Sequence, residues 1–156
     1  VASVVGQNGA RDVLVEDIAT GPGQTSLASG EIVASIFLPE RPPNSGDAYL
    51  RFIPRTEMDI AVVGVGISLT LDGGGVCTAA RVGLGAVAPT VIRAVKAEKL
   101  LNGKAPSDDL FAEAGDMAAT EAKPINDFRA SAGYRLDLIR TGTKRVLAEA
   151  LERAPR

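Results

Sequence analysis

The sequence predicts an α+β fold: a three-stranded antiparallel sheet with helices packed on one face, preceded by a β-rich segment. Three observations carry that prediction. Residues 1–47 hold short apolar runs between recurrent Gly, Pro and Ser turn signals. Two long β-branched runs follow, joined by Asp72-Gly73-Gly74-Gly75. Beyond residue 90 the apolar spacing changes to the i, i+3/i+4 pattern of helices.

Taken in order, Val1–Val5, Asp12–Val15 and Glu31–Leu38 read as strands, with Gly21-Pro22-Gly23 as a turn between them. Pro39 and Pro42-Pro43-Asn44-Ser45-Gly46 form the strongest breaker, which sets expected domains of 1–47 and 48–156. Ala48–Ile53, Ile60–Leu71 and Val76–Val87 are the three strands of the second domain. In Ile60–Leu71, Ala61, Val63, Val65, Ile67 and Leu69 share one face. Val62, Gly64, Gly66, Ser68 and Thr70 share the other, where small residues would let a helix approach. A helix is expected from Thr90 through Leu101, ended by Asn102-Gly103. A second starts at Pro106-Ser107, with Asp108 and Asp109 suiting its dipole, and stops at Lys123-Pro124. A third runs from about Ala130 to Glu152. Its apolar row is Tyr134, Leu138, Val146, Leu147, Ala150 and Leu151, interrupted by Gly142, and its basic residues Arg135, Arg140, Lys144, Arg145 and Arg153 read as a solvated face.

Composition narrows the function. The 156 residues are 46% hydrophobic, enough for a packed core. Seventeen Lys and Arg against 19 Asp and Glu leave a net charge of −2, unlike a nucleic-acid binder. There is no His, which excludes Ser-His-Asp and Cys-His nucleophiles and His-ligated metals. The lone Cys77 permits no internal disulfide and reads as a packing residue. No apolar run approaches the ~20 residues of a membrane helix. Charge divides along the chain: residues 1–47 carry two basic and six acidic side chains, and the remainder 15 basic and 13 acidic. The chain opens on Val1 as if mid-strand, without the basic start of a signal peptide, which suggests either a processed terminus or an unobserved beginning.

Gly64-x-Gly66 lacks the third glycine of a dinucleotide fingerprint and lies inside a strand, and Gly73-Gly74-Gly75 lacks the Gly-Lys-Ser/Thr of a P-loop. Glu57 and Asp59 share a face if extended, but Asp59 reads as a turn or structural acceptor. No catalytic residue and no metal ligand is nominated. The residues alone reach a domain that binds or docks.

Several stretches in order resemble one family: Arg11-Asp12-Val13-Leu14-Val15-Glu16-Asp17, Gly21-Pro22-Gly23-Gln24-Thr25, Gly30-Glu31-Ile32-Val33, Tyr49-Leu50-Arg51-Phe52 before Met58-Asp59-Ile60-Ala61, Leu84-Gly85-Ala86-Val87-Ala88-Pro89-Thr90 with Arg93-Ala94, and Pro124-Ile125-Asn126-Asp127-Phe128-Arg129-Ala130-Ser131-Ala132-Gly133-Tyr134-Arg135. This is similar to the FAD-binding medium subunit of the molybdenum hydroxylases, the xanthine dehydrogenase and aerobic carbon monoxide dehydrogenase family. The resemblance implies that residues 1–47 are the tail of the FAD-binding domain and 48–156 the flavoprotein C-terminal domain. The family's N-terminal glycine-rich pyrophosphate loops are absent, so the missing N-terminal FAD-binding portion is an expected partner. The implied enzyme is a cytoplasmic oxidoreductase. An iron–sulfur small subunit with 2Fe-2S clusters and a molybdopterin large subunit pass electrons to FAD and on to an external acceptor, and this chain alone would be inactive. The resemblance puts Ile32 and Val33 against the flavin ring, and Tyr49 and Arg51 near it. Arg51 stands where relatives commonly have Lys. Asp59, Asp127, Arg129 and Tyr134 are implied to be structural. The competing expectation is a free-standing binding or scaffold domain without redox activity.

Overall fold

The computed structural model describes residues 1–55 and 60–154. Glu57 and Asp59, and with them the expectations for that pair and for Met58-Asp59, lie outside the described residues. The chain forms two units, Val1–Arg41 and the part that begins at Pro42.

In the first unit, strands β1 (Ala2–Gly6), β2 (Gly9–Val13) and β5 (Ile32–Ile36) form an antiparallel sheet in the order β2-β1-β5. Strands β3 (Ala19–Gly21) and β4 (Gln24–Thr25) form a separate ribbon, turned at Pro22-Gly23 with Gly23 at φ 68°. Ala2 and Val4 on the central strand are fully buried. The strand expected over Asp12–Val15 lies earlier, because Gly6↔Gly9 closes the β1–β2 hairpin and Val15–Asp17 turns into a 3-10 helix.

One ion pair braces this unit. Arg11 donates from Nε and Nη2 to the two Glu31 oxygens, each at 2.8 Å, and the Ala28 N–H donates to Glu31 Oε2 at 2.7 Å. Gly6 makes room for the Glu31 stem, since a Cβ there would come within 2.8 Å of Glu31 Cγ. The Arg11 bonds, then the Ala28 amide, lower the Glu31 pKa to about 2. A carboxylate with a depressed folded-state pKa stabilises the fold above its unfolded pKa and loses that contribution as pH falls through the folded one. Glu31→Gln is therefore expected to be less stable than the parent at pH 7, with the gap closing between about pH 4.5 and 2. Urea unfolding of the two chains across that range, followed by circular dichroism, measures it; a constant gap would contradict the assignment.

In the second unit, β6 (Ser45–Phe52), β7 (Val63–Leu71), β8 (Cys77–Gly85) and β9 (Ile92–Arg93) form an antiparallel sheet in sequential order. The β7–β8 hairpin turns where the glycines predicted it. Asp72 Oδ1 accepts the Gly74 and Val76 N–H groups, and Gly75 takes φ 80°. Helices α1 (Val95–Leu101), α2 (Asp108–Glu121) and α3 (Ala132–Arg153) complete the unit. Ser107 and Ser131 cap α2 and α3 by accepting the Leu110 and Tyr134 N–H groups. Helix α1 lacks a side-chain cap of its own, and Glu121 at the end of α2 accepts its Lys96 N–H instead.

The core lies between the sheet and the helices. Val63, Val65, Ile67 and Leu69 of β7 and Val82 and Leu84 of β8 face Leu101, Ile139, Val146 and Leu147. Helix α3 packs on β6 and β7, α1 on β8, and α2 on the other two helices. A Cβ on Gly142 would come within 2.9 Å of Phe52 Cε2 and 3.1 Å of Val65 Cγ2. Gly142, the interruption in the apolar row, is thus where α3 meets the sheet.

Several expectations are corrected. The sheet has a fourth strand, because Ile92 and Arg93 pair with Leu84 and Gly83, and the helix expected from Thr90 begins only at Val95. The helices pack on the large apolar face of β7, which loses far more water-exposed area than the glycine face could. Arg135 is 3% exposed and belongs to the buried row, not to the solvated face. Tyr134, placed in the apolar row, is exposed. Strand β6 also starts at Ser45, paired with Thr70, so residues 45–47 lie in the second unit's sheet.

Candidate functional site

Alternation along each strand turns Tyr49 and Arg51 of β6, Gly64 and Gly66 of β7, and Gly83 and Gly85 of β8 to the sheet face opposite the helices. The register places Arg51 across from Gly64 and Tyr49 across from Gly66; Gly64 and Gly66 in turn oppose Gly85 and Gly83. A Cβ on Gly64 would stand 3.0 Å from the Tyr49 hydroxyl, and one on Gly66 3.4 Å from Tyr49 Cδ2. The tyrosine ring therefore lies along the two glycines. It remains 64% exposed.

This surface offers a flat aromatic ring, seated on a backbone that leaves it room, beside an exposed guanidinium two residues away. The arrangement suits a planar, electron-rich ligand: the ring can stack or pack edge to face, and the cation can hold negative charge at the ligand's rim. Its glycines take up no space that such a ligand needs. Past Tyr49 the same face continues with Asp47, Ser68 and Arg81 in register. Cys77 is buried at the start of β8, and burial, partly offset by the hydrogen bond to Ala79, pushes its thiol pKa up, away from reactivity. Among the described residues no group of three His, Cys, Asp or Glu could hold a metal, and no helix is long and apolar enough to cross a membrane.

In the first unit, Ile32 and Val33 lie on β5, every residue of which is exposed; Ile36, Phe37 and Leu38 continue the apolar run. β5 pairs only with β1 in its sheet, so it is an edge strand.

Asp127 acts as the structural acceptor that its motif implied. Its Oδ1 accepts the Arg129 and Ala130 N–H groups and Arg135 Nη2 at 2.9 Å. Desolvation opposes ionisation there, but these hydrogen bonds outweigh it and hold the carboxyl pKa below its ordinary value. Arg129 stacks over the Phe128 ring at 4.3 Å, while Tyr134 contributes its backbone N–H to the Ser131 cap. Sequence reasoning missed the seat under Tyr49. The signal was present: with every large apolar residue of β7 on one side, the glycine side had to be the open one.

An α+β domain with an open, glycine-floored sheet face is the class that fold and site define. Residues 48–150 match the model of the CO dehydrogenase flavoprotein C-terminal domain, and the chain belongs to that family. It is 32% identical to the xanthine dehydrogenase FAD-binding subunit of Escherichia coli O157:H7, over 94% of this chain and 50% of that one. It is also 32% identical to the carbon monoxide dehydrogenase medium chain of Afipia carboxidovorans, over 97% of this chain and 52% of the relative. The solved carbon monoxide dehydrogenase from Hydrogenophaga pseudoflava superposes with a TM-score of 0.92 at 30% identity, covering 99% of this chain and 53% of that one. The chain thus spans about half the length of the curated relatives it matches.

Proposed function

We propose that the chain is the C-terminal part of the FAD-binding subunit of a molybdenum-hydroxylase-type oxidoreductase. Val1–Arg41 is then the tail of the FAD-binding domain, and the unit that begins at Pro42 is the flavoprotein C-terminal domain. The observation that carries the reading is the Tyr49 ring seated on Gly64 and Gly66 with Arg51 beside it. Tyr49 gives the isoalloxazine an aromatic contact, and Arg51 places positive charge at the ring edge where reduced flavin is anionic. For Ile32 and Val33, the apolar flavin contact is proposed on the family resemblance alone. The flavin provides the redox chemistry; these side chains bind it, orient it and tune its charge. The names of the relatives, medium chain and FAD-binding subunit, support partner subunits in the intact enzyme. We assign these as an iron–sulfur small subunit and a molybdopterin large subunit. A reducing cytoplasm suits a chain whose single cysteine is a buried free thiol.

The test uses the native full-length subunit. Tyr49→Ala is expected to weaken FAD binding about ten-fold, the loss of an aromatic contact. Arg51→Gln should make the bound flavin harder to reduce, moving its midpoint potential to more negative values. Equilibrium dialysis and a spectrophotometric redox titration read these effects. Unchanged affinity and potential in both variants would reject the assignment.

A further inference from the structure

We propose that Arg135 is a positioning residue for the Tyr49 end of the open sheet face, an inference that rests on the flavin reading above. Arg135 rises from α3 on the helix side of the sheet and is almost completely buried. Its Nη1 donates to the carbonyl of Val62, which leads into β7, and to the carbonyl of Ala86, which follows β8, the latter at 3.4 Å. Its Nη2 donates to Asp127 Oδ1 at 2.9 Å. One guanidinium therefore ties together the ends of the two central strands. Two residues past Val62 and one before Ala86 lies the row Arg51, Gly64 and Gly85, and the Tyr49 hydroxyl lies over Gly64. Arg135 thus fixes from behind the backbone on which the Tyr49 ring rests.

Two further observations separate this arrangement from ordinary core packing. Ala86 has φ 64°, the left-handed region that a residue with a Cβ disfavours, and its carbonyl is held by the same guanidinium. Arg135 Nε is buried with no acceptor. An apolar side chain would fill this place without an orphaned donor and without a buried charge. What it could not supply is a rigid planar fork reaching two carbonyls and a carboxylate at once. Asp127 anchors the fork in turn, held by two backbone amides. Lysine at this position keeps the charge near Asp127 but brings a single ammonium in place of the fork.

The experiment is a double-mutant cycle in the full-length, FAD-loaded subunit, with Arg135→Lys, Tyr49→Ala and the pair. The readouts are the FAD dissociation constant and the visible circular dichroism of the bound flavin. Arg135→Lys is expected to weaken FAD binding about ten-fold and to change the dichroic band when Tyr49 is present, but to alter affinity by no more than about two-fold in the Tyr49→Ala background. Ser107→Ala, which removes the α2 cap, serves as a control that loosens the same unit away from the sheet, and it should leave the dichroic band unchanged. If the Arg135→Lys effect has the same size in both backgrounds, or is absent in both, the positioning role is wrong while the flavin reading stands. If Tyr49→Ala alone changes nothing, the flavin reading fails and this inference with it. Should Arg135→Lys not fold, Asp127→Ala replaces it in the same cycle, because it removes the carboxylate that anchors the fork. The same non-additivity supports the proposal, and additivity overturns it.

Discussion

Glu98→Ala is expected to cost the second unit about 2–3 kcal/mol, since a buried amide loses its acceptor and a partly exposed arginine loses its charged partner. Glu98 is buried on α1, and its carboxylate finishes the sheet where the short fourth strand leaves it incomplete. Oε1 accepts the Val82 N–H at 2.9 Å and Arg93 Nε, and Oε2 accepts Arg93 Nη2 at 2.8 Å. β9 has only two residues, and its Cα partners are Gly83 and Leu84. The side chain of Glu98 thus takes the place of a strand carbonyl for Val82. Alanine would leave that buried amide without its acceptor, take two bonds from Arg93, and unpin β9 from α1. Glu98→Gln keeps an acceptor oxygen but loses the charge, and it is expected to fall between alanine and the parent. Chemical denaturation of the three chains measures the order. If alanine lies within about 1 kcal/mol of the parent, the carboxylate is not part of the sheet.

The same residues show why sequence reading reached some elements and not others. Alternating Val63, Val65, Ile67 and Leu69 declared a half-buried strand, and Asp72 with three glycines declared its hairpin, because strand period and turn chemistry are local properties. Ile92–Arg93 could not be read. A two-residue strand has no period, and its definition comes from Gly83, Leu84 and Glu98, distant in the chain. Arg135 was hidden by its type, since arginine is seldom buried. Its position was more telling, as Ile139, Val146 and Ala150 follow it on the same helical stripe. At the candidate site, Tyr49 and Arg51 were legible as strand residues but not as binding residues. Their chemistry is ordinary, and only family resemblance nominated them. The glycine floor beneath Tyr49 was visible but assigned to the wrong face. That assignment treated small residues as an invitation to a helix, whereas burial of the large apolar side chains decides where the helices go.

Close helix approach does depend on glycine in this fold, at a position that no turn signal marks, and Gly46→Ala is expected to have the other large effect. Gly46 lies on β6, on the helix side, under the last turn of α3. A Cβ there would stand 2.1 Å from the Ala150 carbonyl oxygen, 2.6 Å from the Ala154 nitrogen and 2.9 Å from the Arg153 carbonyl carbon. All three are backbone atoms of a helix end, so no side-chain rotation relieves the clash. Either α3 moves outward or its final turn unwinds. The first opens the contacts of Val146, Leu147 and Ala150 with the sheet; the second loses the Ala154 N–H bonds to the Ala150 and Leu151 carbonyls and the Arg153 bond to the Asp47 carbonyl at 3.0 Å. Overpacking by one methyl group typically costs 1–3 kcal/mol, and a site walled by backbone falls at or above the top of that range, about 3 kcal/mol here. Hydrogen exchange distinguishes the two responses. Unwinding would release the amides of residues 150–154 alone, whereas an outward shift would lower protection along the whole of α3. A variant as stable as the parent, with α3 protected to its end, would show that this strand and helix do not approach each other as closely as described.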